Sequence, residues 1–276
     1  MLSLYWKRFK SNPLTLSGAL IVFILIVLAL FAQKLAPYNY LQQDLINRLK
    51  PPSSLYWFGT DELGRDVFSR MLYGIRISLL IGFISAFVSI SIGTFVGLGA
   101  GYGGKWIDGL IMRIVDVVLC FPTLFLVLMI LGIMDKPNIF MIMLVIGLTS
   151  WAGLARMVRG EVLSVRERDF ILVAKGLGLS SSRILFVHLL PNVISPVLVA
   201  ATLTVGSAIL MESGLSFLGL GVQPPVPSWG NILTSGKDFI HMAWWLSLFP
   251  GLAILLTVLA FNLLGEGLRD VLDPRL

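Results

Sequence analysis

The sequence predicts an all-α fold, a polytopic membrane bundle of about six transmembrane helices. Of the 276 residues, 57% are hydrophobic and 13% are charged, whereas soluble domains carry roughly 25% charged residues. The mean hydropathy is +0.89, and uncharged runs long enough for the about 20 helical residues that cross a bilayer recur along the chain. These runs lack the alternation of lipid-facing strands, which favours helices over a barrel.

Six apolar runs are predicted to cross the membrane in turn. The first follows three basic residues, as in a signal peptide, but it is longer than the usual core of roughly 7–15 residues and lacks an A-x-A site, so we expect an uncleaved anchor. The runs are Ser11 to Gln33, Ile77 to Gly104, Val117 to Met134, Pro137 to Ala155, Ile184 to Met211 and Phe239 to Gly265. The predicted domains are an anchor helix with an outer loop, 1–76, and a core transmembrane domain, 77–276, that contains a charged loop at 156–191.

The distribution of Lys and Arg predicts the orientation, because basic residues accumulate in cytoplasmic loops. If the chain begins inside, one side receives most of the 21 basic residues: Lys7, Arg8, Lys10, Lys105, Arg113, Arg156, Arg159, Arg166, Arg168, Lys175, Arg183, Arg269 and Arg275. This bias places both termini and the charged loop in the cytoplasm. It also explains the net charge of +6, and we predict no nucleic-acid binding because the basic residues form no aromatic-interleaved patch outside the loops.

Two glycine-rich strings imitate nucleotide-binding motifs. Residues Gly99 to Lys105 fit G-x-x-x-x-G-K, and Gly99, Gly101 and Gly104 fit G-x-G-x-x-G. The first lacks the Ser or Thr that would hold magnesium, because Trp106 follows the lysine, and no soluble strand precedes either string. The glycines are therefore expected at a helix end or a helix contact.

Catalytic, cofactor and metal sites are not predicted in this chain. The only histidines, His188 and His241, fall on opposite sides of the membrane, and no Cys/His cluster or G-x-S-x-G string occurs. The single cysteine, Cys120, is expected to be a small packing residue. An intramembrane hydrolase is the alternative from a different class, and it would need Ser216 with His241 as its base.

Two acidic residues at the borders of apolar runs are candidates for a translocation path or gate, since ionisable groups in membranes tend to face a bundle interior. For Asp116 the favoured alternative is an interfacial ion pair with Arg113, three residues earlier. Glu212 follows the apolar run that ends at Met211 and has no basic neighbour in sequence. It either lines a path or caps the outer helix end, and the sequence leaves both open.

Two further intervals are predicted outside the bilayer. In the interval from Ala36 to Arg76, Asp61 is expected to cap an amphipathic helix on the outer surface, with Glu62 in its first turn. The interval from Ser213 to Asp238 is broken by repeated Gly and Pro, which predicts a re-entrant or surface segment and not a seventh span.

The charged loop carries the first family resemblance. From Leu172 the string LVAKGLGLSSSRILFVHLLP resembles the EAA loop of the membrane subunits of bacterial ABC importers, although Leu172 and Val173 replace the usual Glu and Ala. The resemblance implies short helices that fit into a cleft on the ATPase subunit, with a glycine that permits a sharp turn. The ATPase-coupling residues that it implies are Ala174, Gly178, His188, Leu190 and Pro191.

Three more strings extend the resemblance over nearly the whole chain. GTDELGRDVFSR from Gly59, LSFLGLGVQPPVPSWGNIL from Leu215 and LAFNLLGEGLRDVLDPRL from Leu259 resemble the dipeptide, oligopeptide and nickel permeases, and more narrowly the second permease of each pair. This implies a type I ABC importer permease in the plasma or inner membrane of a bacterium or archaeon. It also implies a non-catalytic chain without a cofactor, whose partners are a homologous second permease, two ATPase subunits that bind ATP and Mg, an extracytoplasmic binding protein and the lipid bilayer.

The resemblance also bears on binding-protein contact and on the solute. The outer strings are predicted to contact the binding protein or to gate the cavity, with candidates at Asp61, Glu62, Arg65, Asp66 and Trp229. Short peptides are the first choice of solute, because most members of the resembled group carry them. Nickel, as a chelate, is the alternative, and opines, glutathione and sugars stay open.

Overall fold

The computed structural model describes residues 12–134 and 137–272, and the described residues form helices without a strand. The all-α prediction is confirmed. Ser11 and the basic residues Lys7, Arg8, Lys10 and Arg275 lie outside the described residues. The helices are α1 Pro13–Leu35, α2 Val67–Tyr102, α3 Gly104–Leu119, α4 Thr123–Ile133, α5 Ile139–Arg166, α6 Asp169–Gly176, α7 Ser181–Phe217, α8 Trp229–Gly236 and α9 Trp245–Leu272.

Five of these helices (α1, α2, α5, α7 and α9) are long and apolar enough to cross a membrane. The bent pair of α3 and α4 makes a sixth crossing, because α2 and α5 run in the same direction and the chain must return between them. The predicted number of spans is therefore confirmed for the described residues. The predicted domain boundary after residue 76 falls inside α2 and stays a prediction.

The two ends of the bundle differ in what covers them. At the capped end, residues 36–66 and 218–244 close over the helices, and the Trp245 Nε1–H donates to the Thr60 carbonyl at 3.1 Å. At the charged end, the last turn of α5 lies beside the last turn of α2, where an Arg166 guanidinium N–H donates to the Gly101 carbonyl at 2.9 Å. Asn12 donates to Asp270 at 3.4 Å, so both described ends of the chain lie at the charged end.

Helix α2 is the central helix, and three glycines let it approach α5 closely. A Cβ added at Gly93, Gly97 or Gly101 would lie 2.6–2.7 Å from an atom of α5, so any other residue there would force the two helices or their side chains to shift. These glycines recur every four residues and therefore share one helix face. In the glycine string next to Lys105, Gly101 is thus a helix contact, and Gly104 at its end adopts a positive φ of 83° between α2 and α3, as expected of a helix end.

The third predicted span, Val117 to Met134, is wrong as a continuous helix. The chain bends by 80° between α3 and α4. Pro122 lacks an N–H and disfavours the α conformation of Phe121, so the helix ends at Leu119 and restarts at Thr123. Cys120 lies in this break and is exposed, so the packing role expected of it is also wrong.

Helix α2 begins ten residues before the predicted span, and this corrects the expectation of a surface helix capped by Asp61. The cap is Asp66, whose carboxylate accepts the Ser69 backbone N–H at 2.8 Å. Burial raises the pKa of the Asp66 carboxyl above its ordinary value, while the hydrogen bonds from Ser69 oppose that shift. The first turns of α2 are buried in the capped end, not laid on a surface.

Candidate functional site

Gly178 lies directly after helix α6, in a turn whose backbone conformation favours glycine. Its φ is +71°, in the left-handed region where glycine has no steric penalty. The Gly178 N–H donates to the Lys175 carbonyl at 3.0 Å, and the Leu179 N–H donates to the Ala174 carbonyl at 3.2 Å. This pair of bonds is a Schellman motif, which satisfies the last carbonyls of the helix. The sharp turn predicted at Gly178 is therefore present.

The loop is anchored to the bundle by buried apolar side chains. Ala174 is buried together with Ile171 on α6 and Leu189 on α7, in a cluster that also contains Val158 and Val162 of α5. A shift of α6 would therefore press on α5 and α7, because protein interiors are close-packed.

Pro191 lies at the start of the regular part of α7. Proline has no N–H and its ring crowds the preceding turn, and the turn from Ile184 to Leu189 is π-helical. The Leu190 N–H donates to the Leu185 carbonyl, and the Asn192 amide donates to the His188 carbonyl at 2.7 Å. Thus Leu190, Pro191 and His188 shape the junction between the loop and the long helix.

The part of α6 and of its C-cap residue that faces away from the bundle is apolar yet exposed. We call it the α6 face, and its members are Phe170, Leu172, Val173 and Leu177. Leu177 is 76% exposed, the most of the four. Several exposed apolar side chains on a short helix that is otherwise anchored indicate an interaction surface.

Two ion pairs join α3 to α5 near the charged end. The Arg159 guanidinium contacts both oxygens of Asp108, at 2.5 and 2.6 Å. Asp116 accepts from Arg156 at 2.6 Å, and both side chains are more than half exposed. The predicted pairing of Asp116 with Arg113 is therefore wrong, because a partner on α5 reaches it instead. Its place on a translocation path is not supported by this geometry.

At the capped end, Asp61 is the centre of a buried ionic network. It is fully buried and accepts from the backbone and side chain of Arg65, with the side-chain contact at 2.7 Å, and also from the Arg70 guanidinium. Glu62 contacts Arg65 at 3.2 Å and is partly exposed. Buried charges of this kind require such partners.

The burial of this part of the chain bears on the predicted contact with a binding protein at Asp61, Glu62, Arg65 and Asp66. Asp61, Arg65 and Asp66 are each at most 6% exposed. Asp61 and Arg65 pair with each other inside the subunit, and Asp66 caps α2, so none of the three is offered to a partner. Glu62 alone of the four keeps exposed surface. Contact with a binding protein at this end stays a prediction, and Glu62 is its remaining charged candidate.

Trp229 is also fully buried, so direct contact with a binding protein is not its role in this conformation. Its indole N–H donates to the Met71 carbonyl at 3.3 Å, and its backbone N–H donates to the Ser78 hydroxyl at 3.3 Å. A reciprocal capping box between Ser228 and Asn231 starts α8 at this residue. Trp229 therefore pins α8 to α2.

Glu212 fastens the last turns of α7 to the capped end. It is fully buried, and its Oε1 accepts from the hydroxyls of Ser216 at 2.7 Å and Ser228 at 2.8 Å. It lies inside α7 and does not cap the helix, so that alternative is wrong. The Ser216 proton points to Glu212, and His241 is exposed, so the geometry does not assemble the hydrolase pair.

A cavity of about 350 Å³ lies between α2, α5 and α7. In the described part of the chain, the twelve residues that line it are all uncharged, and four carry hydroxyls: Ser85, Ser150, Thr204 and Ser207. Glu212 and Asp116 are not among its lining residues. The cavity is the candidate translocation path on this subunit, a role in which mostly apolar walls with a few polar groups are usual.

Residues 93–276 match the family described as the binding-protein-dependent transport system inner membrane component. The chain belongs to this family of ABC importer permeases. Residues 1–52 of the permease match the N-terminal transmembrane domain of oligopeptide transport permease C.

The permease is similar over nearly its whole length to curated relatives. It is 44% identical over 271 residues to the dipeptide transport system permease protein DppC of Alkalihalophilus pseudofirmus, with 98% of this chain and 89% of the relative covered. It is 43% identical to the glutathione transport system permease protein GsiD of Pectobacterium atrosepticum, with 99% and 90% covered. The resemblance stated from the sequence is confirmed.

The permease also shares its fold with a solved transporter. It matches the MetNI methionine ABC transporter, in an inward-facing crystal form, with a TM-score of 0.58 and 21% identity, covering 74% of this chain and 96% of that chain. The type I importer fold is therefore confirmed. Sequence reasoning predicted the sharp turn at Gly178 of the permease but missed the cavity hydroxyls, although Thr204 and Ser207 are three residues apart and hence share a helix face.

Proposed function

We propose that this permease is the transmembrane subunit of an ATP-driven importer of short peptides. The observation that carries the proposal is the 43–44% identity, across nearly the whole chain, to relatives named for dipeptide and glutathione transport. Glutathione is itself a small peptide, so both names point to one solute class. Nickel import is not favoured, since neither of these relatives is named for it.

We infer that the charged end faces the cytoplasm and that the α6 face docks on an ATPase subunit. Basic residues concentrate at this end, as expected of cytoplasmic loops. The α6 face exposes apolar surface that the subunit itself leaves uncovered, which an ATPase cleft would bury. ATP and Mg would bind to the ATPase subunits and not to this chain.

The anchoring of the loop supports coupling as a rigid-body motion. Ile171 and Ala174 of α6 and Leu189 of α7 are buried in one cluster with α5, so a push on α6 is transmitted to the helices that line the cavity. Paired with a homologous second permease, this movement would alternate access to the cavity from the two sides. The extracytoplasmic binding protein would deliver the solute at the capped end.

The test is uptake by vesicles that contain the reconstituted importer with candidate partner subunits and its binding protein. Labelled di- and tripeptides are compared with a labelled nickel chelate. We expect uptake of peptides and none of the chelate. Uptake of the chelate alone would keep the importer and overturn the solute.

A further inference from the structure

Gly153 of α5 is a glycine that helix packing does not explain. A Cβ added at this position would meet no atom within 4 Å, whereas one at Gly147 of the same helix would lie 2.7 Å from Val88. Glycine within a helix costs roughly 0.5–1 kcal/mol relative to alanine. Gly153 lines the cavity between α2, α5 and α7, so the missing side chain adds width to that cavity.

Three hydroxyls around Gly153 have their protons directed away from the cavity. Ser150 donates to the Ile146 carbonyl at 2.7 Å, and Thr204 and Ser207 donate to carbonyls one turn earlier on α7, at 2.7 and 3.0 Å. A hydroxyl has a single proton but two acceptor lone pairs. With their protons engaged, these three side chains offer the cavity acceptors only.

The remaining lining of the cavity adds no charge to this pattern. Its other described members are apolar except for Ser85, which is buried and donates to the Met143 carbonyl at 2.8 Å, across the contact between α2 and α5. A carboxylate in the cavity would meet acceptors and no cationic side chain. An ammonium or amide N–H would find three oxygen atoms able to accept it.

We propose that this cavity is one half of a solute subsite that selects N–H donors. The amino end of a short peptide is held by the oxygens of Ser150, Thr204 and Ser207, and Gly153 gives it room. The carboxylate end is then met by the second permease. This inference rests on the proposed peptide import and adds to it the orientation of the peptide and the residues that contact it.

The direct test measures the chemistry of the cavity with thiol reagents in the assembled importer. Cys120→Ser removes the single natural cysteine, and Gly153→Cys then places one thiol in the cavity wall. Modification rates are measured for a cationic aminoethyl and an anionic sulfonatoethyl methanethiosulfonate. Each rate is divided by the rate at which the same reagent modifies a small thiol free in solution. We expect the cationic reagent to react about tenfold faster, the effect of one hydrogen bond from a charged donor.

The matched control is the same Gly153→Cys subunit with Ser150→Ala, Thr204→Val and Ser207→Ala. The preference for the cationic reagent should fall to about that of the free thiol. A transported dipeptide should slow modification of the Gly153→Cys thiol more when Ser150, Thr204 and Ser207 are retained than when they are replaced. An unchanged preference in the hydroxyl-free subunit, or a preference for the anionic reagent, would overturn the inference.

Uptake separates this inference from the proposed function. The hydroxyl-free variant, with Cys120 and Gly153 retained, should import a labelled dipeptide about tenfold more slowly than the wild type. Ser235→Ala, which removes a hydroxyl of α8 bonded to the Ile232 carbonyl and outside the cavity, should import normally. If the wild type imports no peptide, the proposed function fails. If the wild type and the hydroxyl-free variant import equally, only this inference fails.

Discussion

At the scale of single residues, Gly178 is the most informative position for coupling. Its left-handed backbone admits aspartate with a modest penalty of about 1 kcal/mol, and a side chain there meets no atom within 4 Å of this subunit. We therefore expect Gly178→Asp to fold but to lose ATPase stimulation and uptake, because a charged side chain enters the surface that we propose docks on the ATPase. Both activities are measured in the reconstituted importer.

The control for this change is Gly219→Asp at the capped end. Gly219 has a similar φ of +84° and equally open surroundings, so the strain is matched while the ATPase contact is not touched. Gly219→Asp should keep ATPase stimulation. Normal uptake by Gly178→Asp would refute the coupling role of the loop.

Asp61 is the residue on which the capped end depends. Asp61→Asn removes the charge that two buried guanidinium groups share, and breaking a buried ion pair in this way costs about 3–5 kcal/mol. Glu62→Gln removes only a partly exposed contact and should cost under about 1 kcal/mol. Thermal unfolding of the purified subunit compares the two. Equal stability of the two variants would show that the network does not hold this end together.

At the scale of elements, the contact between α2 and α5 predicts a difference between two neighbouring glycines. A Cβ at Gly97 would lie 2.7 Å from the Ala155 carbonyl oxygen, whereas one at Gly99 has its nearest neighbour at 3.9 Å. Gly97→Ala should destabilise the subunit by about 1–3 kcal/mol through overpacking. Gly99→Ala should be neutral or stabilising, since alanine favours helix. Similar melting temperatures for both would contradict the close contact.

Helix α6 offers a second element-scale prediction. Leu177→Ser should leave the stability of the isolated subunit unchanged, because the side chain is 76% exposed, but it should reduce recovery of the ATPase subunits in the purified complex. Leu55→Ser changes a side chain that is 70% exposed at the capped end and should leave that recovery unchanged. Equal recovery with both variants would mean that the α6 face is not the docking surface.

The same elements show what the sequence could predict. Continuous apolar runs predicted the crossings, because lipid imposes length and composition on each one. The break at Pro122 was missed because the run stays apolar through it. The start of α2 was missed because Asp61, Arg65 and Arg70 look like surface residues until the fold shows that both arginines pair with Asp61 in the interior. The cavity hydroxyls were missed because Ser and Thr are common in membrane helices and only three-dimensional proximity brings α5 and α7 together.

At the scale of the whole molecule, the proposed docking face, the cavity and the buried ionic network lie at successive levels of the bundle. The α6 face lies at the charged end, the cavity lies between helices that are packed against α6, and the ionic network closes the opposite end. This arrangement predicts that ATP acts from the side of the charged end, whereas the solute enters from the capped end.

The most direct measurement is dipeptide uptake into vesicles that hold the complete importer, with ATP supplied inside, outside or not at all. In a parallel sample, protease cleavage at Lys175 determines on which side of the membrane the charged loop lies. The account predicts uptake only when ATP is on the same side as the charged loop and the peptide and binding protein are on the other. Uptake without ATP, or with ATP on the side of the capped end, would contradict it.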